Sequence, residues 1–436
     1  MSLNLSLLTD LYEFTMAQIY VEEGMEEEAV FEFFVRPYTR RAYYVMAGTQ
    51  ELLEVLDNFR FGEDEIAYLE QSGKFGQKFL DYLRNFRFSG DVWAMMEGEI
   101  FLGGEPVVSV RASLPQAQLI ETILINTLQH PILVATKAAR CMSAADGTTL
   151  VDFGLRRAHG KDAGMRAARS AYLAGFAGTS NMLAGKEYGI PVFGTMAHSF
   201  IMAHEREEEA FERFMRRYPN NSIILVDTYD TIEGTKKAIE VSKRLGIPLR
   251  GVRLDSGDIQ SLAPKVRWML NSAGLDEALI LVSGGVDEFV IADLLAKDVP
   301  IDAWGVGTKL VVSEDLPSLD CAYKLVEYKG KPRFKKSRGK VTLPMQKQIK
   351  REWDEQGLFK EDIVEMMEAM PEGLLQKVME KGKICYRDSL DQMRERVAKR
   401  LSHLPSHMLE LQPAKPTLPR LGPKLKTLAK ELGILS

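Results

Sequence analysis

Cysteine is scarce in this chain: 436 residues contain only Cys141, Cys321 and Cys385, far apart in sequence. Such spacing offers neither a disulfide framework nor a zinc-ligand pattern, and it suits a reducing compartment. Apolar runs of membrane-spanning length are absent. The stretch Met1 to Tyr20 lacks the basic start and long apolar core of a secretion signal, so a cytoplasmic protein is expected, with no membrane partner. Positive charge is not in excess, since the formal net charge is −5, and this argues against a general nucleic-acid binder. No GxGxxG or Walker pattern occurs, which removes the commonest nucleotide fingerprints. Histidine is also sparse, and the pair His403 and His407 has Pro405 between its members, which breaks the helix a metal pair would need.

What is present is an ordinary globular balance, 45% hydrophobic and 27% charged, with length for two or three domains. Asp10 or Thr9 is positioned to cap a helix running to about Tyr20. Ala29 to Arg36, Asp91 to Met96 and Pro106 to Arg111 read as strands, and residues 47–85 read as helical. This first region is therefore expected to be mixed α+β. A long apolar helix opens at Leu119. From Thr149 a rhythm begins, with strand-like runs at Thr149–Phe153, Ile190–Phe193, Ile223–Val226, Leu249–Leu254, Leu279–Val282 and Asp302–Trp304. Helical patterns such as Thr231–Leu245, Gln260–Ser272 and Val286–Ala296 fall between them. Six or seven βα units imply a closed or nearly closed α/β barrel, with a doubly wound open sheet as the competing layout. Residues 329–351 carry ten Lys or Arg and no acid, either a solvated loop or a flexible arm near an anionic site. Residues 360–402 return to a helical pattern, Pro413 to Pro423 mark an extended linker, and Lys424 to Leu435 reads as a last helix.

Parallel α/β folds gather their chemistry at the strand ends. There stands Phe153-Gly154-Leu155-Arg156-Arg157, an aromatic ring beside guanidinium groups that suits a flat anionic ligand. Gly178-Thr179-Ser180-Asn181 opens a helix, either as a plain cap or as an anion site. Gly194-Thr195-Met196-Ala197-His198-Ser199 puts a histidine just past a strand, as base, ligand or nucleophile. Arg253-Leu254-Asp255-Ser256-Gly257-Asp258 combines an arginine with two carboxylates, suited to phosphate and to sugar hydroxyls or hydrated Mg²⁺. Ser283-Gly284-Gly285 and Gly305-Val306-Gly307-Thr308 are glycine turns that let backbone amides approach a phosphate. Together they describe a site for a phosphorylated sugar beside a flat anionic ring. Two other classes compete: a Schiff-base enzyme using Lys309, and a non-catalytic binder of phosphorylated sugars.

These motifs, with Thr9-Asp10-Leu11-Tyr12, resemble in kind and order those of the nicotinate phosphoribosyltransferase family, over Leu7 to about Met345. The resemblance implies an α/β fold, an irregular α/β barrel of the type II phosphoribosyltransferase kind, divided as an α+β domain over 1–114, a barrel over 115–325 and a basic loop with helical extension over 326–436. It implies ATP-coupled transfer of phosphoribosyl from 5-phosphoribosyl 1-diphosphate to nicotinate, with Mg²⁺ on the diphosphate; nicotinamide or quinolinate is the alternative acceptor. It also implies a homodimer or larger homo-oligomer in which Tyr12 of one subunit and Phe153 of the other sandwich the pyridine ring. His198 would be phosphorylated by ATP, Arg253 would lie by the ring, Asp255 would hold the ribose hydroxyls and Arg156 would meet phosphate. Gly284, Gly305, Gly307 and Thr308 would cup the 5′-phosphate, with Thr179, Ser180, Ser199, Ser283 and Gly285 completing the substrate-binding set. Ser180 stands where nicotinamide-using relatives carry an aspartate, and serine favours the acid. The basic loop departs from the family's Pro-Gly by running Lys340-Val341-Thr342 into Pro344-Met345. With only Cys385 near the C-terminus, the zinc cluster of some members is not expected.

Overall fold

Short β-branched runs followed by amphipathic helices build the part of the chain that carries the strand-end motifs. The computed structural model describes residues 4–337, 341–413 and 415–435, and it divides into two compact units, Lys137–Pro317 and the combination of Met1–Thr136 with Ser318–Ser436.

In the Lys137–Pro317 unit, six strands form one sheet in the order Gly178–Thr179, Thr149–Asp152, Ala303–Val306, Leu279–Ser283, Gly251–Leu254 and Ile223–Leu225. Every neighbouring pair is parallel. Val151, Val252, Ile280, Val282, Trp304 and Val306 are buried, as expected for strands covered on both faces. Connecting helices include Thr231–Leu245, Ile259–Ser272 and Glu288–Leu295. Asp230 and Asp287 cap two of them through their side chains, and Gly246 ends the first in a left-handed conformation. Register aligns the functional ends: Asp152 is opposite Val306, Ser283 opposite Gly305, and Arg253 opposite both Leu225 and Leu281. Because all strands run the same way, Phe153, Asp227, Asp255, Gly284 and Gly307 emerge at one edge.

The expected strand Ile190–Phe193 is the exception. It makes a single parallel bridge, Thr179 to Val192, and Val192 and Phe193 are exposed. Pro191 supplies no amide to a ladder, which limits pairing to isolated contacts.

In the other unit, seven strands pair antiparallel in the order Lys331–Pro332, Cys321–Tyr328, Glu28–Val35, Pro106–Ser113, Asp91–Met95, Leu375–Glu380 and Lys383–Ile384. The boundary between units falls inside the helix Glu121–Ala144. Residues after 317 return to pair with N-terminal strands, so the observed units differ from a division at 114 and 325.

The helical reading of 360–402 is corrected over most of its length. Lys347–Trp353 and Phe359–Met366 form an antiparallel pair, Leu375–Glu380 joins the large sheet, and only Leu390–Ser402 is a long helix. Glu, Lys and Met favour helix locally, but pairing the two strands buries Ile349, Phe359 and Val364 and satisfies their backbone in one ladder, which overrides propensity. The basic stretch is likewise partly interior. Lys347 is buried against Glu32 at 2.6 Å, so it belongs to the core and not to an arm. Residues 338–340 of that stretch, with Lys340 among them, lie outside the described residues. The expected last helix is Pro423–Glu431.

Candidate active site

A cavity of about 440 Å³ opens at the strand ends of the Lys137–Pro317 unit. Phe153, Arg156, Ser180, Arg253, Asp255, Ser283, Gly284, Gly285, Gly305, Gly307 and Thr308, all expected from sequence, line it. The glycines are there for space. An alanine Cβ at Gly305 would fall 2.4 Å from the Phe153 ring, and at Gly284 it would fall 2.1 Å from the Asp255 carbonyl oxygen.

Arg253 organises one wall. Its Nε donates to Ser283 Oγ at 2.8 Å, Nη1 to the Met196 carbonyl at 3.1 Å and Nη2 to Asp255 Oδ1 at 2.7 Å. The Ser283 hydroxyl donates to the same Asp255 oxygen, and the guanidinium lies 5.4 Å from the centre of the Phe153 ring. Burial pushes the Asp255 carboxyl up, but the Ser283 hydroxyl, Arg253 and His198 together outweigh it and hold the group below its ordinary value. Asp255 therefore presents a fixed, ionised carboxylate to the cavity.

His198 begins the short helix His198–Met202 at the rim. Its Nδ1 is 3.1 Å from Thr228 Oγ1 and its Nε2 is 3.8 Å from Asp255 Oδ2. When Nδ1–H donates to Thr228 Oγ1, Nε2 is the ring nitrogen that carries the lone pair.

Four expected residues are not among those lining the cavity: His198, which stands against the lining residue Asp255, and Thr179, Ser199 and Tyr12. Thr179 is fully buried and donates to Asp152 Oδ2 at 2.7 Å; Asp152 Oδ1 accepts from the Gly154 amide at 2.8 Å, so this pair holds the turn that presents Phe153. Ser199 is exposed beside His198. Tyr12 belongs to the other unit, on the helix Leu11–Glu22, with its ring exposed. The helix after Ser180 has an occupied N-terminus: Asn181 Oδ1 accepts from the Leu183 and Ala184 amides at 3.1 and 3.2 Å. That motif is a cap, and Ser180 alone faces the cavity.

Sequence reasoning passed over Asp227 and Thr228, at the end of the strand Ile223–Leu225. Asp227 Oδ2 accepts from the Asp255 amide at 2.8 Å and from Ser256 Oγ at 2.7 Å, which fixes the Asp255 turn. The signal was available, since a carboxylate and a hydroxyl follow a buried strand there as at its neighbours. Thr195 also lines the cavity, and its hydroxyl is buried with no partner among the described residues, an arrangement that suits a ligand acceptor. Lys309 lines it too, but its Nζ is 3.0 Å from Asp287 Oδ2. An ion-paired ammonium opposes the free amine that a Schiff base requires.

A parallel α/β framework with a carboxylate, several cations and glycine turns at its strand ends defines an enzyme of anionic, phosphorylated small molecules. Comparison with known proteins narrows this class. The nicotinate phosphoribosyltransferase N-terminal domain model matches residues 7–129, and the nicotinate phosphoribosyltransferase family model matches 148–363. A nicotinate phosphoribosyltransferase of Mycobacterium tuberculosis is 46% identical over 414 residues, covering 93% of this chain and 89% of the relative. That of Bacillus subtilis is 42% identical over 360 residues, covering 80% and 73%. The crystal structure of human nicotinic acid phosphoribosyltransferase matches with a TM-score of 0.84 at 27% identity, over 97% of this chain and 99% of that one. The chain belongs to the nicotinate phosphoribosyltransferase family.

Proposed function

We infer that this protein transfers the phosphoribosyl group of 5-phosphoribosyl 1-diphosphate to nicotinate, giving nicotinate mononucleotide and diphosphate in NAD salvage. The observation that carries the reading is the single cavity in which the Phe153 ring, the Arg253–Ser283–Asp255 network and the glycine turns meet. Phe153 offers a face to the pyridine ring. Arg253 and the buried Thr195 hydroxyl are donors for its carboxylate, Asp255 accepts from the ribose hydroxyls, and the glycine turns give amides to the 5′-phosphate. The pyridine nitrogen attacks C1′ as the bond to diphosphate breaks, and the diphosphate leaves with the electron pair; no side chain attacks the sugar. Labelled nicotinate, nicotinamide and quinolinate, each assayed with and without ATP, test the reading. Product from nicotinamide alone, or from none of them, would overturn it.

Mg²⁺ carried on the diphosphate fits this site. Asp255 faces the cavity as a hard oxygen donor, and among the described residues no three His, Cys, Asp or Glu side chains form a cage of their own. Bound there, the ion would stabilise charge on the departing diphosphate. ATP would act as phosphoryl donor to His198, which has a ring nitrogen beside Asp255. The parallel sheet would form part of an irregular α/β barrel, and the enzyme would work in the cytoplasm; no helix among the described residues is long and apolar enough to cross a membrane.

Acceptor choice rests on Ser180. Ser180→Asp is expected to lower kcat/KM for nicotinate by about tenfold or more relative to nicotinamide, because two carboxylates then face each other in a half-dry cavity. Kinetics on both acceptors measure the ratio, and an unchanged ratio would take Ser180 away from the ring substituent.

Assembly rests on Tyr12. Leu8, Leu11, Tyr12 and Ile19 are exposed around the first helix, an apolar face that suits a second copy of the chain. If Tyr12 completes the partner's site, mixing inactive Tyr12→Ala and Asp255→Ala proteins is expected to restore up to about a quarter of the wild-type activity, because a hybrid dimer has one intact composite site. No recovery after confirmed subunit exchange would mean that one chain builds the whole site.

A further inference from the structure

The glycine turns offer a phosphate only uncharged amides, whereas a phosphate monoester near neutral pH approaches a dianion. The cations lining the cavity are Arg156, Arg157, Arg253 and Lys309. Arg253 spends three of its five N–H donors on Ser283, the Met196 carbonyl and Asp255, and the two that remain are assigned above to the acceptor's carboxylate. Arg156 and Arg157 are exposed on the turn after the strand Thr149–Asp152. Lys309 is different, because it follows Gly307 and Thr308 within the glycine turn itself.

Its ammonium is also held. The side chain is 27% exposed, and Nζ lies 3.0 Å from Asp287 Oδ2, whose own side chain is 6% exposed. Glu314 Oε2, at 3.8 Å, is beyond hydrogen-bond reach. A lysine ammonium has three N–H donors, and Asp287 takes one. Asp287 in turn cannot swing away, since its Oδ1 accepts from the Phe289 and Val290 amides at 3.1 and 3.0 Å. The next residue, Glu288, is buried against Lys137 at 2.6 Å and Arg140 at 3.0 Å, which pins the start of that helix from behind. A flexible lysine tethered this way loses less rotamer freedom when it meets a ligand.

We propose that Lys309 is a binding residue for the 5′-phosphate of the phosphoribosyl donor, and that Asp287 is a positioning residue that aims it. The inference rests on the phosphoribosyl-transfer reading above and extends it to a side chain outside the expected substrate-binding set. Contact made equally in ground and transition states changes KM more than kcat.

The test uses the full chain and its variants Lys309→Met, Lys309→Arg and Asp287→Asn. Lys309→Met is expected to raise KM for 5-phosphoribosyl 1-diphosphate by about tenfold or more, the loss of one charge-assisted hydrogen bond. KM for nicotinate should stay within about twofold. Ribose 5-phosphate, which carries only the 5′-phosphate, should weaken as an inhibitor by the same factor, while inhibition by inorganic diphosphate stays unchanged. Lys309→Arg should recover most of the loss. Asp287→Asn keeps the helix cap, since asparagine caps as well as aspartate, and should raise the same KM by a smaller factor. An unchanged KM with a lowered Tm would overturn the inference, as would weakened diphosphate inhibition with ribose 5-phosphate unaffected. If the wild-type chain does not turn over, the transfer reading fails; ribose 5-phosphate binding by calorimetry that still depends on Lys309 would then uphold the phosphate site by itself, and binding indifferent to Lys309 would overturn it.

Discussion

His198→Asn is expected to abolish ATP hydrolysis, by about three orders of magnitude or more, and to remove all stimulation of transfer by ATP, while a slow ATP-independent transfer survives. The reasoning starts from the ring. With Nδ1 turned to Thr228 at 3.1 Å, Nε2 is the nitrogen left to attack the γ-phosphorus; the N–P bond forms as the bond to ADP breaks, and hydrolysis later returns the imidazole. Asparagine keeps a polar group of similar reach without a nucleophilic nitrogen. Nothing in the displacement at C1′ requires the imidazole, because diphosphate is the leaving group and the pyridine nitrogen is the nucleophile, so transfer persists. A phosphohistidine would add negative charge beside Asp255 and near any Mg²⁺-diphosphate, which gives ATP turnover a route to substrate affinity. Intact-protein mass after incubation with ATP, kept alkaline so that phosphohistidine survives, checks the adduct. An acid-labile phosphate on another residue, or full ATP stimulation in the variant, would remove His198 from this role.

Asp255→Asn is expected to lower kcat/KM by about two to four orders of magnitude. Two ribose hydroxyls bonded to a carboxylate contribute about 1.5–3 kcal/mol each, and a tenfold rate change corresponds to about 1.4 kcal/mol. The variant also leaves Arg253 without its charged partner in a half-buried wall. The pH dependence distinguishes the cause. A carboxyl held below its ordinary value stabilises the fold above the unfolded-state pKa, about 3.9, and loses that contribution only as pH falls through the lower folded value. Asp255 is therefore ionised throughout the working range, and the loss should be uniform from about pH 5.5 to 9. A variant that instead shifts an acid limb near neutrality would show that Asp255 titrates in catalysis, against this account.

Most of the site could be read in the sequence because parallel strands put their chemistry at one end. Phe153, Arg253, Asp255, Ser283 and the glycines all follow apolar runs, and the sheet register brings those ends together. Local order also made the helices Thr231–Leu245 and Ile259–Ser272 legible, since their apolar residues recur at helical spacing and an aspartate caps the first. Recognition of the family followed from seven short motifs in one order, a property of the linear chain.

Other features depend on partners distant in sequence, and those only the tertiary structure decided. Thr179 reads as a ligand hydroxyl until Asp152 takes its hydrogen bond, and Lys309 reads as an amine nucleophile until Asp287 pairs with it. Asp227 becomes part of the site only when its carboxylate accepts from the Asp255 amide. The strands Lys347–Trp353 and Phe359–Met366 carry helix-favouring side chains, and their pairing buries Ile349, Phe359 and Val364 and brings Arg351 against Asp362 and Glu99. Lys347, one more cation in a basic run, is an interior residue because Glu32 is there to neutralise it. Periodicity and turn chemistry act between near neighbours and survive in the sequence; desolvated hydrogen bonds and ion pairs join residues tens or hundreds of positions apart and exist only once the chain has folded.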